Sequence, residues 1–497
     1  MSSNKYQIFQ RSRIFFQVFF LIIFLVLFFI PAVSGNLAEV FFRFDPLLLL
    51  MNLISSGIVL KVLLLSLIPL LLTLFLGRFF CGWICPLGTV NQFFSWLFRK
   101  NNKRNSKPEP EEFRLKYLIV PALIVSAFLG VYLWGWLDPF SLFSRSLAVL
   151  TPSADYLAQK SSLLSDAKSV LADYPRFTIF PYLTACLFFL FIGLNYYFRR
   201  FFCNKLCPLG ALYGLTSRFG LLKFSTKDSC SSCGLCSKNC TYYGDPCENY
   251  LKSECMVCFN CAVDCPTDSV ELKFKLLPPK RKQNFDLGRR RVLGAIACGV
   301  LAAPLIKTTV KGSGKRRTFI RPPGAVKENE FLDKCARCGQ CVQSCPTGFI
   351  QPAFAEAGLE GIWTPVVNAK AGYCIYECKI CTEVCPAEAV EKLSLEDKKV
   401  FKIGTAIINR DLCYTYADGF NCTVCFDKCP LKEKAIKFRE IEIWSFTGRL
   451  TRVKQIYIDP DLCTGCGICE YVCPRKDKSG IYITPEDEQR EKITGIL

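Results

Sequence analysis

Cysteine dominates the residues of this chain that could carry chemistry. The 497 residues include 31 Cys and no His. Most of the cysteines recur as CxxCxxC with a further Cys shortly after, and thiolates at this spacing are ligands of iron–sulfur clusters. The lack of histidine excludes His-ligated haem, c-type haem attachment, Rieske centres and mixed Cys/His zinc sites. A disulfide scaffold is typical of short secreted chains, so the pattern favours clusters.

Residues 230–265 contain the cysteine motif twice, as "CSSCGLCSKNC" and "CMVCFNCAVDCP". In two-cluster bacterial ferredoxins the fourth Cys of each run ligates the other cluster. The pattern therefore predicts two 4Fe-4S clusters, one held by Cys230, Cys233, Cys236 and Cys265 and the other by Cys255, Cys258, Cys261 and Cys240. The first run ends in Thr241 instead of proline, and Cys247 in the connecting loop is interpreted as a spare thiol.

Four further cysteine motifs follow, and the third of them stretches its first gap by six residues. Each motif ends in CxxxCP, where the proline prevents a helix from continuing. They predict four more 4Fe-4S clusters, with the ligands Cys335, Cys338, Cys341, Cys345, Cys374, Cys378, Cys381, Cys385, Cys413, Cys422, Cys425, Cys429, Cys463, Cys466, Cys469 and Cys473. Apolar runs such as "VFKIGTAIINRDLC" and "QIYIDPDLC" indicate short strands that lead into the cluster loops.

A different cysteine motif occurs twice in the first half of the chain, as "GRFFCGWICPLG" (77–88) and "RRFFCNKLCPLG" (199–210). A helical turn brings residues i and i+4 to one face, so Cys81 with Cys85 and Cys203 with Cys207 each present two thiols. Together they would hold a seventh cluster between the two halves. Two disulfides, or one zinc ion with four thiolates, are the alternatives. Setting aside Cys186, Cys247 and Cys298 leaves 28 cysteines, which make seven sets of four.

Long apolar runs surround these two motifs. Spans of about 20 residues, enough to cross a bilayer as helices, lie at 14–33, 58–77, 115–137 and 177–198. Lys and Arg follow the second and fourth spans, which predicts that both CxxxCP motifs lie on the cytoplasmic side. Within the repeat, "RFDPLLLL" and "WLDPFSLFSR" precede the motif-bearing spans at the outer side. Buried helices of a soluble protein are disfavoured because the runs are too long.

The predicted fold class is an α-helical membrane domain, four-helix and internally duplicated, combined with α+β polyferredoxin domains of bacterial type. The predicted bounds are 1–225 for the membrane domain, 226–275 for a two-cluster ferredoxin domain, 276–320 for a basic linker and 321–497 for a four-cluster ferredoxin domain. The net charge of +20 lies largely in that linker. Basic residues beside membrane segments are interfacial, and no nucleic-acid-binding motif is present, so nucleic acid is not an expected partner.

The linker contains "GRRRVLGAIACGVLAAPLI" (288–306), which looks like a twin-arginine export signal. Such signals export folded, cofactor-loaded domains. The sequence therefore predicts a multi-pass protein of the cytoplasmic (inner) membrane, with the first ferredoxin domain cytoplasmic and the C-terminal one periplasmic. The alternative is a buried helix between two cytoplasmic ferredoxin domains. Cys298 in this segment and Cys186 in the fourth span are expected to be packing residues.

These residues resemble two known families. The duplicated Asp-Pro elements and the duplicated CxxxCPLG, followed by a two-cluster ferredoxin, resemble the NapH-type membrane quinol dehydrogenase of periplasmic nitrate reductase systems. The part from Arg289 onward, with its twin-arginine segment and its four cluster motifs, is similar to the NapG/MauM ferredoxin-type subunit. The chain resembles these two subunits fused.

The resemblance implies oxidation of a quinol, such as menaquinol, within a respiratory complex. Electrons would pass through the clusters to a partner subunit such as a periplasmic reductase or a multihaem cytochrome. Asp45 and Asp138 lie where an outer-side quinol site could release protons, but capping of the helices that follow is an equal alternative. Similarity to other four-cluster subunits also implies that the first and fourth of the C-terminal motifs exchange their last cysteines, and that the middle two do the same.

Two other functions remain open at the level of sequence. Related CxxxCP membrane ferredoxins serve in assembly, where they donate electrons to a metal centre or a thiol. A second alternative keeps every ferredoxin domain in the cytoplasm, where the chain would carry electrons from a soluble donor to quinone. The fusion of both halves and the six conventional clusters favour a continuous electron path from quinol.

Overall fold

The computed structural model describes most of the chain. The described residues are 3–29, 40–56, 61–98, 114–151, 179–227, 229–240, 242, 251–274, 288–311, 319–354, 356–444, 450–475 and 478–490. The chain divides into two compact units, the first formed by Met1–Phe29, Leu37–Ser146 and Thr184–Lys307, and the second by Ile30–Asn36, Leu147–Leu183 and Thr308–Leu497. The first unit combines segments of the predicted membrane, two-cluster and linker regions, whose separate bounds stay predictions.

The first unit begins with the helix Ser3–Phe29. Within the described residues, Tyr6–Phe29 is the one helix long and apolar enough to cross a membrane. An N-terminal signal sequence or a core helix could have the same length and hydropathy, so this helix is a weak indication of a membrane protein. The other predicted spans correspond to shorter apolar helical segments, Leu63–Leu76, Leu115–Phe128 and Leu183–Tyr196. Four full membrane crossings therefore stay a prediction.

Each Asp-Pro element begins a helix. The helices are Pro46–Ser56 and Pro139–Leu150, and proline is favoured at a first helical position because it has no N–H to leave unpaired. Asp45 Oδ1 accepts a hydrogen bond from the Leu47 amide at 2.9 Å, and Asp138 Oδ2 accepts one from the Ser141 amide at 2.7 Å. Both aspartates therefore cap the helix that follows, as the capping interpretation predicted.

The two CxxxCP motifs have parallel local structures. The first follows the helix Leu67–Leu76 and consists of Phe79–Trp83 and then Pro86–Leu97. The second follows Ile179–Gly193 and consists of a π-helical turn, Phe202–Leu206, and then Pro208–Ser217. In both, the second Cys is extended and the proline starts a new helix. The proline therefore turns the chain at the point where the sulfurs are presented.

The first ferredoxin region is a small α+β element within this unit. Its strands Leu222–Thr226 and Val270–Phe274 pair antiparallel, and its helical turns are Leu235–Asn239, Lys252–Glu254 and Asn260–Val263. Phe224, Phe259 and Ala262 form a core with Trp83 of the first CxxxCP motif. The ferredoxin region is thus packed against the cysteine motif through shared apolar side chains.

The twin-arginine segment forms the helix Arg289–Lys311. This helix runs beside Arg114–Phe128, because Gly299 lies against Ala122 and Lys307 Nζ donates to the Leu129 carbonyl at 2.6 Å. From the first contact to the second, residue numbers rise in both segments, from 299 to 307 and from 122 to 129, so the two helices are parallel. The segment is therefore part of the first compact unit.

The second unit is an α+β assembly built around the four C-terminal motifs. Its antiparallel strand pairs are Ile350–Pro352 with Pro365–Val367, Thr405–Ile408 with Ile481–Thr484, and Ile436–Trp444 with Leu450–Ile458. Its helices are Glu328–Lys334, Gln340–Gln343, Ile380–Glu383, Leu395–Val400, Tyr414–Ala417, Val424–Lys428 and Ile468–Tyr471. The strands predicted within "VFKIGTAIINRDLC" and "QIYIDPDLC" are confirmed.

Candidate iron–sulfur centres

The two CxxxCP motifs meet at one site. Cys85 lies within electrostatic range of Cys81 and Cys203, and Cys207 lies within range of the other three thiols. Cys85 and Cys207 are buried, while Cys81 and Cys203 are half-buried. The structure thus brings together four thiols that are up to 126 residues apart in sequence, as the shared-cluster hypothesis requires.

The glycine of the PLG sequence is needed for close backbone packing at this site. A Cβ atom added to Gly88 would lie 2.7 Å from the Cys81 carbonyl oxygen, which is too close for any side chain. In the second motif the Gly210 amide donates to Cys207 Sγ at 3.2 Å. Backbone amides that donate to cysteine sulfur are one of the means by which proteins stabilise cluster ligands.

Two buried arginines occupy equivalent positions in the repeat, each three residues before the first Cys of its motif. Arg78 is 0% exposed and Arg200 is 1% exposed. Arg78 lies within electrostatic range of Cys81 and Cys207, and Cys203 is the thiol with the strongest electrostatic influence on Arg200. Neither arginine was predicted to be a site residue, although their repetition in "RFFC" was a signal that could have identified them.

A buried ionic network continues from Arg78. Glu254 Oε2 accepts hydrogen bonds from Arg78 Nη1 at 2.7 Å and from Lys116 Nζ at 2.5 Å, and its Oε1 accepts one from the Tyr117 hydroxyl at 2.6 Å. Burial disfavours ionisation of Glu254, but Lys116 and Arg78 outweigh that effect and lower the pKa of its carboxyl. Because Glu254 precedes Cys255, the network connects the paired-cysteine site with the first ferredoxin region.

The charges around the four thiols suit a metal group. Four thiolates around a doubly charged cubane core, or around zinc, form a doubly negative group. The buried cations Arg78, Arg200 and Lys116, offset by Glu254, leave two positive charges beside it. Buried charges are stable only when they are paired, so the donor set and its surroundings fit a thiolate-bound centre.

No group of three or more Cys, Asp or Glu side chains among the described residues is arranged to hold a metal ion. In a cubane each of the four thiolates binds a different iron, so the ligands of a 4Fe-4S cluster need not converge on one point.

The first ferredoxin region groups its cysteines in keeping with the two-cluster pattern. Burial raises the pKa of the Cys261 thiol, and the thiols of Cys258, Cys255 and Cys240 raise it further, in that order. These are the four ligands predicted for one cluster. In the other predicted set, the Ser269 amide donates to Cys265 Sγ at 3.3 Å. Cys247 and Thr241 lie outside the described residues.

Two pockets in the second unit are each lined by four cysteines. One is lined by Cys413, Cys422, Cys425 and Cys473. The other is lined by Cys345, Cys374, Cys378 and Cys381. In each pocket three sulfurs come from one motif and the fourth comes from the end of another.

The remaining cysteines follow the same rule. Burial raises the pKa of the Cys341 thiol, and the nearby thiols of Cys338, Cys335 and Cys385 raise it further. Burial also raises the pKa of the Cys469 thiol, and the nearby thiols of Cys466 and Cys463 add to this effect. The thiol of Cys466 in turn lies within electrostatic range of Cys429. The first motif therefore exchanges its last Cys with the second, and the third with the fourth. The pairing implied by other four-cluster subunits, first with fourth and second with third, is wrong for this chain.

These pairings give the four sets a linear order. The Cys374 amide donates to the Cys466 carbonyl at 2.8 Å, which joins the second and fourth motifs. The first motif adjoins the second, because Cys381 lies within electrostatic range of Cys341, and the third adjoins the fourth through Cys425 and Cys469. Along the path the order of the motifs is first, second, fourth and third.

The two aspartates of the repeat are brought together. Asp45 and Asp138 are both 0% exposed, and their carboxyl groups lie next to each other, within electrostatic range. They also lie near the cysteine site, since the ring of Phe140 is 6.1 Å from that of Phe80 and Asp138 is within electrostatic range of Cys85.

This position differs from the expectation that the Asp-Pro elements and the cysteine motifs occupy opposite ends of their spans. Among the described residues, more than one helix lies between each aspartate and the first cysteine of its motif: Pro46–Ser56 and Leu67–Leu76 in the first half, and Pro139–Leu150 and Ile179–Gly193 in the second. A chain that forms two helices in succession can return toward its starting point, which brings the acids close to the thiols.

Two cysteines set aside in the sequence are not buried. Cys186 and Cys298 are both exposed on apolar helices. The expectation that they are packing residues is therefore wrong within this structure, because their side chains point away from the protein core.

Comparison with known proteins agrees with these sites. A model described as a 4Fe-4S binding domain matches residues 59–105 and 179–227, which contain the two CxxxCP motifs. A second 4Fe-4S binding domain model matches 331–351, and a 4Fe-4S dicluster domain model matches 418–476. These matches support 4Fe-4S clusters in both halves of the chain. No solved structure matches.

Several curated proteins are similar to this chain. The ferredoxin-type protein NapG of Escherichia coli is 36% identical over 195 residues, covering 37% of this chain and 81% of that protein. The methylamine utilization ferredoxin-type protein MauM of Methylobacillus flagellatus is 31% identical over 212 residues, covering 42% of this chain and 85% of that protein. The methylamine utilization ferredoxin-type protein MauN of the same organism is 28% identical over 200 residues, covering 39% of this chain and 60% of that protein. With its 4Fe-4S domains, the chain is an iron–sulfur electron-transfer protein that belongs to the NapG and MauM family of ferredoxin-type proteins.

Proposed function

We propose that this protein oxidises a quinol in the cytoplasmic membrane and passes the electrons to a periplasmic acceptor. The observation that carries the proposal is that a buried pair of carboxyl groups lies close to four thiols in one duplicated domain. The carboxyl pair of Asp45 and Asp138 could accept a quinol proton, and the four thiols of the CxxxCP motifs are close to it. Quinol oxidation releases protons and electrons together, so a proton acceptor beside an electron acceptor suits that reaction.

Each group of residues has a part in this proposal. The 4Fe-4S clusters, when bound, supply one-electron carriers with potentials tuned by the protein. Cys81, Cys85, Cys203 and Cys207 would hold the carrier that receives electrons from quinol. The first ferredoxin region would receive them next, because its loop at residues 253–257 packs against the first CxxxCP motif. The C-terminal sets would form the path to a partner subunit.

We propose a multi-pass topology for the first unit. Besides Tyr6–Phe29, several helices have large apolar side chains exposed, among them Leu71, Phe75, Phe128 and Phe189. Exposed apolar surface of this extent marks an interaction with lipid or protein. In this proposal the helix Arg289–Lys311 is a further crossing that runs parallel to Arg114–Phe128 and leads the chain to the periplasmic side.

The proposal is tested with full-length protein in lipid nanodiscs under anaerobic conditions. A menaquinol analogue is added, and cluster reduction is followed by electron paramagnetic resonance (EPR) and by visible bleaching, with dithionite giving the fully reduced reference. Reduction of part of the dithionite-reducible signal by the quinol supports the proposal. If quinol reduces nothing while a reduced soluble ferredoxin does, the chain carries electrons toward quinone or serves in metal-centre assembly.

A further inference from the structure

Arg78 and Arg200 reach from the paired-cysteine site into the first ferredoxin region. Arg78 Nη1 donates to the Ser253 carbonyl at 3.1 Å and to Glu254 Oε2 at 2.7 Å. On the other side of the same guanidinium, Nη2 would be 3.1 Å from a Cβ atom added to Gly210, and Cys207 Sγ would be 3.4 Å from the same atom. One guanidinium therefore adjoins a predicted ligand of one centre and contacts the residues just before Cys255, a predicted ligand of the next.

Arg200 makes a corresponding set of contacts from the second half of the repeat. Its Nη1 lies 3.8 Å from Met256 Sδ, and its guanidinium lies 4.1 Å from the ring centroid of Tyr242. Its Nη2 also donates to Gln92 Oε1. The two arginines thus contact the two sequence neighbours of Cys255, Arg78 at Glu254 and Arg200 at Met256.

The backbone around Cys255 is packed tightly against the first CxxxCP motif. The Met256 carbonyl oxygen would be 2.9 Å from a Cβ atom at Gly82, and Trp83 Nε1 donates to the Val257 carbonyl at 3.3 Å. The loop that contains Cys255 therefore makes direct backbone contact with the paired-cysteine motif.

We propose that Arg78 and Arg200 form a guanidinium bridge between the cluster of the CxxxCP motifs and the cluster of Cys255, Cys258, Cys261 and Cys240. The bridge raises the midpoint potential of the former and makes the two clusters direct electron-transfer partners. This inference depends on the shared cluster of the proposed function. One electron leaves one cluster and reduces the other, and no bond forms or breaks.

The physical basis is electrostatic. Reduction adds one negative charge to a centre that is already doubly negative, and a charge in the protein interior is screened less than one in water. A guanidinium that stays ionised in the protein interior stabilises the reduced form more than the oxidised form. Hydrogen bonds to ligand sulfur and net charge near a cluster are known determinants of its potential.

The first experiment measures the midpoint potential of this cluster by EPR-monitored redox titration of the full chain in nanodiscs. Arg78→Gln and Arg200→Gln should each lower the potential, and Arg78→Lys should lower it less because the charge remains. The control is Arg145→Gln, which removes a buried arginine that donates to the Gly135 and Trp136 carbonyls. An unchanged potential in both glutamine variants, with the cluster still bound, would overturn the proposal.

The second experiment identifies the electron-transfer partner from magnetic interaction between reduced clusters. Cys258→Ser should abolish the relaxation enhancement of the CxxxCP cluster's EPR signal, whereas the matched variant Cys233→Ser should leave it unchanged. The opposite result would show that the set of Cys230 is the neighbour and would contradict the inference.

The outcomes separate this inference from the proposed function. If the iron content shows no cluster at the CxxxCP motifs of the unmodified protein, the shared cluster itself is absent. If the cluster is present but none of the three arginine variants can bind it, the arginines belong to its assembly instead of setting its potential, and the bridge is rejected.

Discussion

The carboxyl groups of Asp45 and Asp138, which occupy equivalent positions in the two halves of the repeat, lie next to each other in a fully buried position. One oxygen of each carboxyl caps the helix that follows it. Two carboxyl groups this close together in the protein interior cannot both be ionised. The pair would therefore hold a proton, which a single aspartate in one half of the repeat would not need to do.

Asparagine substitutions separate the two roles of these aspartates. Asparagine caps helices about as well as aspartate, so Asp45→Asn and Asp138→Asn should retain the thermal stability of the protein. If the pair accepts the quinol proton, each variant should lose quinol-dependent cluster reduction by a factor on the order of 10² or more. Stopped-flow bleaching with a menaquinol analogue measures the loss.

The alanine variants serve as the control for capping. Asp45→Ala and Asp138→Ala should each cost about 1 kcal/mol of stability through the lost cap. Asparagine variants that oxidise quinol at the unmodified rate would mean that the aspartates only cap their helices.

Iron content tests the shared site of the CxxxCP motifs. The double variant Cys85→Ser, Cys207→Ser should contain about four fewer iron atoms per chain, because one cubane loses two of its four ligands. Cys186→Ser is the matched control, since this exposed cysteine lies on an apolar helix of the same unit and is not a predicted ligand. Equal iron in the double variant and the control would contradict a cluster at this site.

Cysteine pairing in the second unit predicts which variants share a spectroscopic defect. Cys385→Ser should remove the same EPR signal as Cys335→Ser, and Cys473→Ser should remove the same signal as Cys413→Ser, because each pair contributes to one site. If instead Cys473→Ser matches Cys335→Ser, the first and fourth motifs exchange their last cysteines after all.

Two glycines of the helix Arg289–Lys311 test its packing beside Arg114–Phe128. A Cβ atom at Gly299 would lie 2.8 Å from the Ala122 carbonyl oxygen, whereas one at Gly294 meets no atom within 4 Å. Gly299→Leu should therefore cost about 1–3 kcal/mol by forcing the helices apart. Gly294→Leu should be tolerated.

Thermal unfolding and protease sensitivity of the two leucine variants in nanodiscs measure this difference. Equal stability of both variants would mean that the helix does not pack against Arg114–Phe128. Mass spectrometry of the mature chain also tests this arrangement, since an export signal cleaved within the helix could not remain in the first unit.

Features that depend on local spacing could be predicted from the amino-acid sequence alone. Cysteines three or four residues apart present their sulfurs to one side of a short loop or turn, so Cys463, Cys466 and Cys469 could be grouped without a structure. The prolines after the last cysteines predicted chain turns, and the strand Thr405–Ile408 followed from its apolar run. The family also followed from these motifs, because their order along the chain is characteristic.

Contacts between residues that are distant in the sequence could not be predicted in this way, because they depend on how the elements pack. The fourth ligand of each set comes from another motif, so the partner of Cys385 or Cys473 depends on how the loops pack, and similarity to other proteins gave the wrong pairing. The proximity of Asp45 and Asp138 depends on how the helices that begin at Pro46 and Pro139 pack in the folded chain, and hydropathy alone does not predict that packing. The sequence alone did not show that Arg78 is buried, with Glu254 as its ionic partner. Such a pair is identified only from the structure, because a buried ion is costly unless the fold supplies a partner.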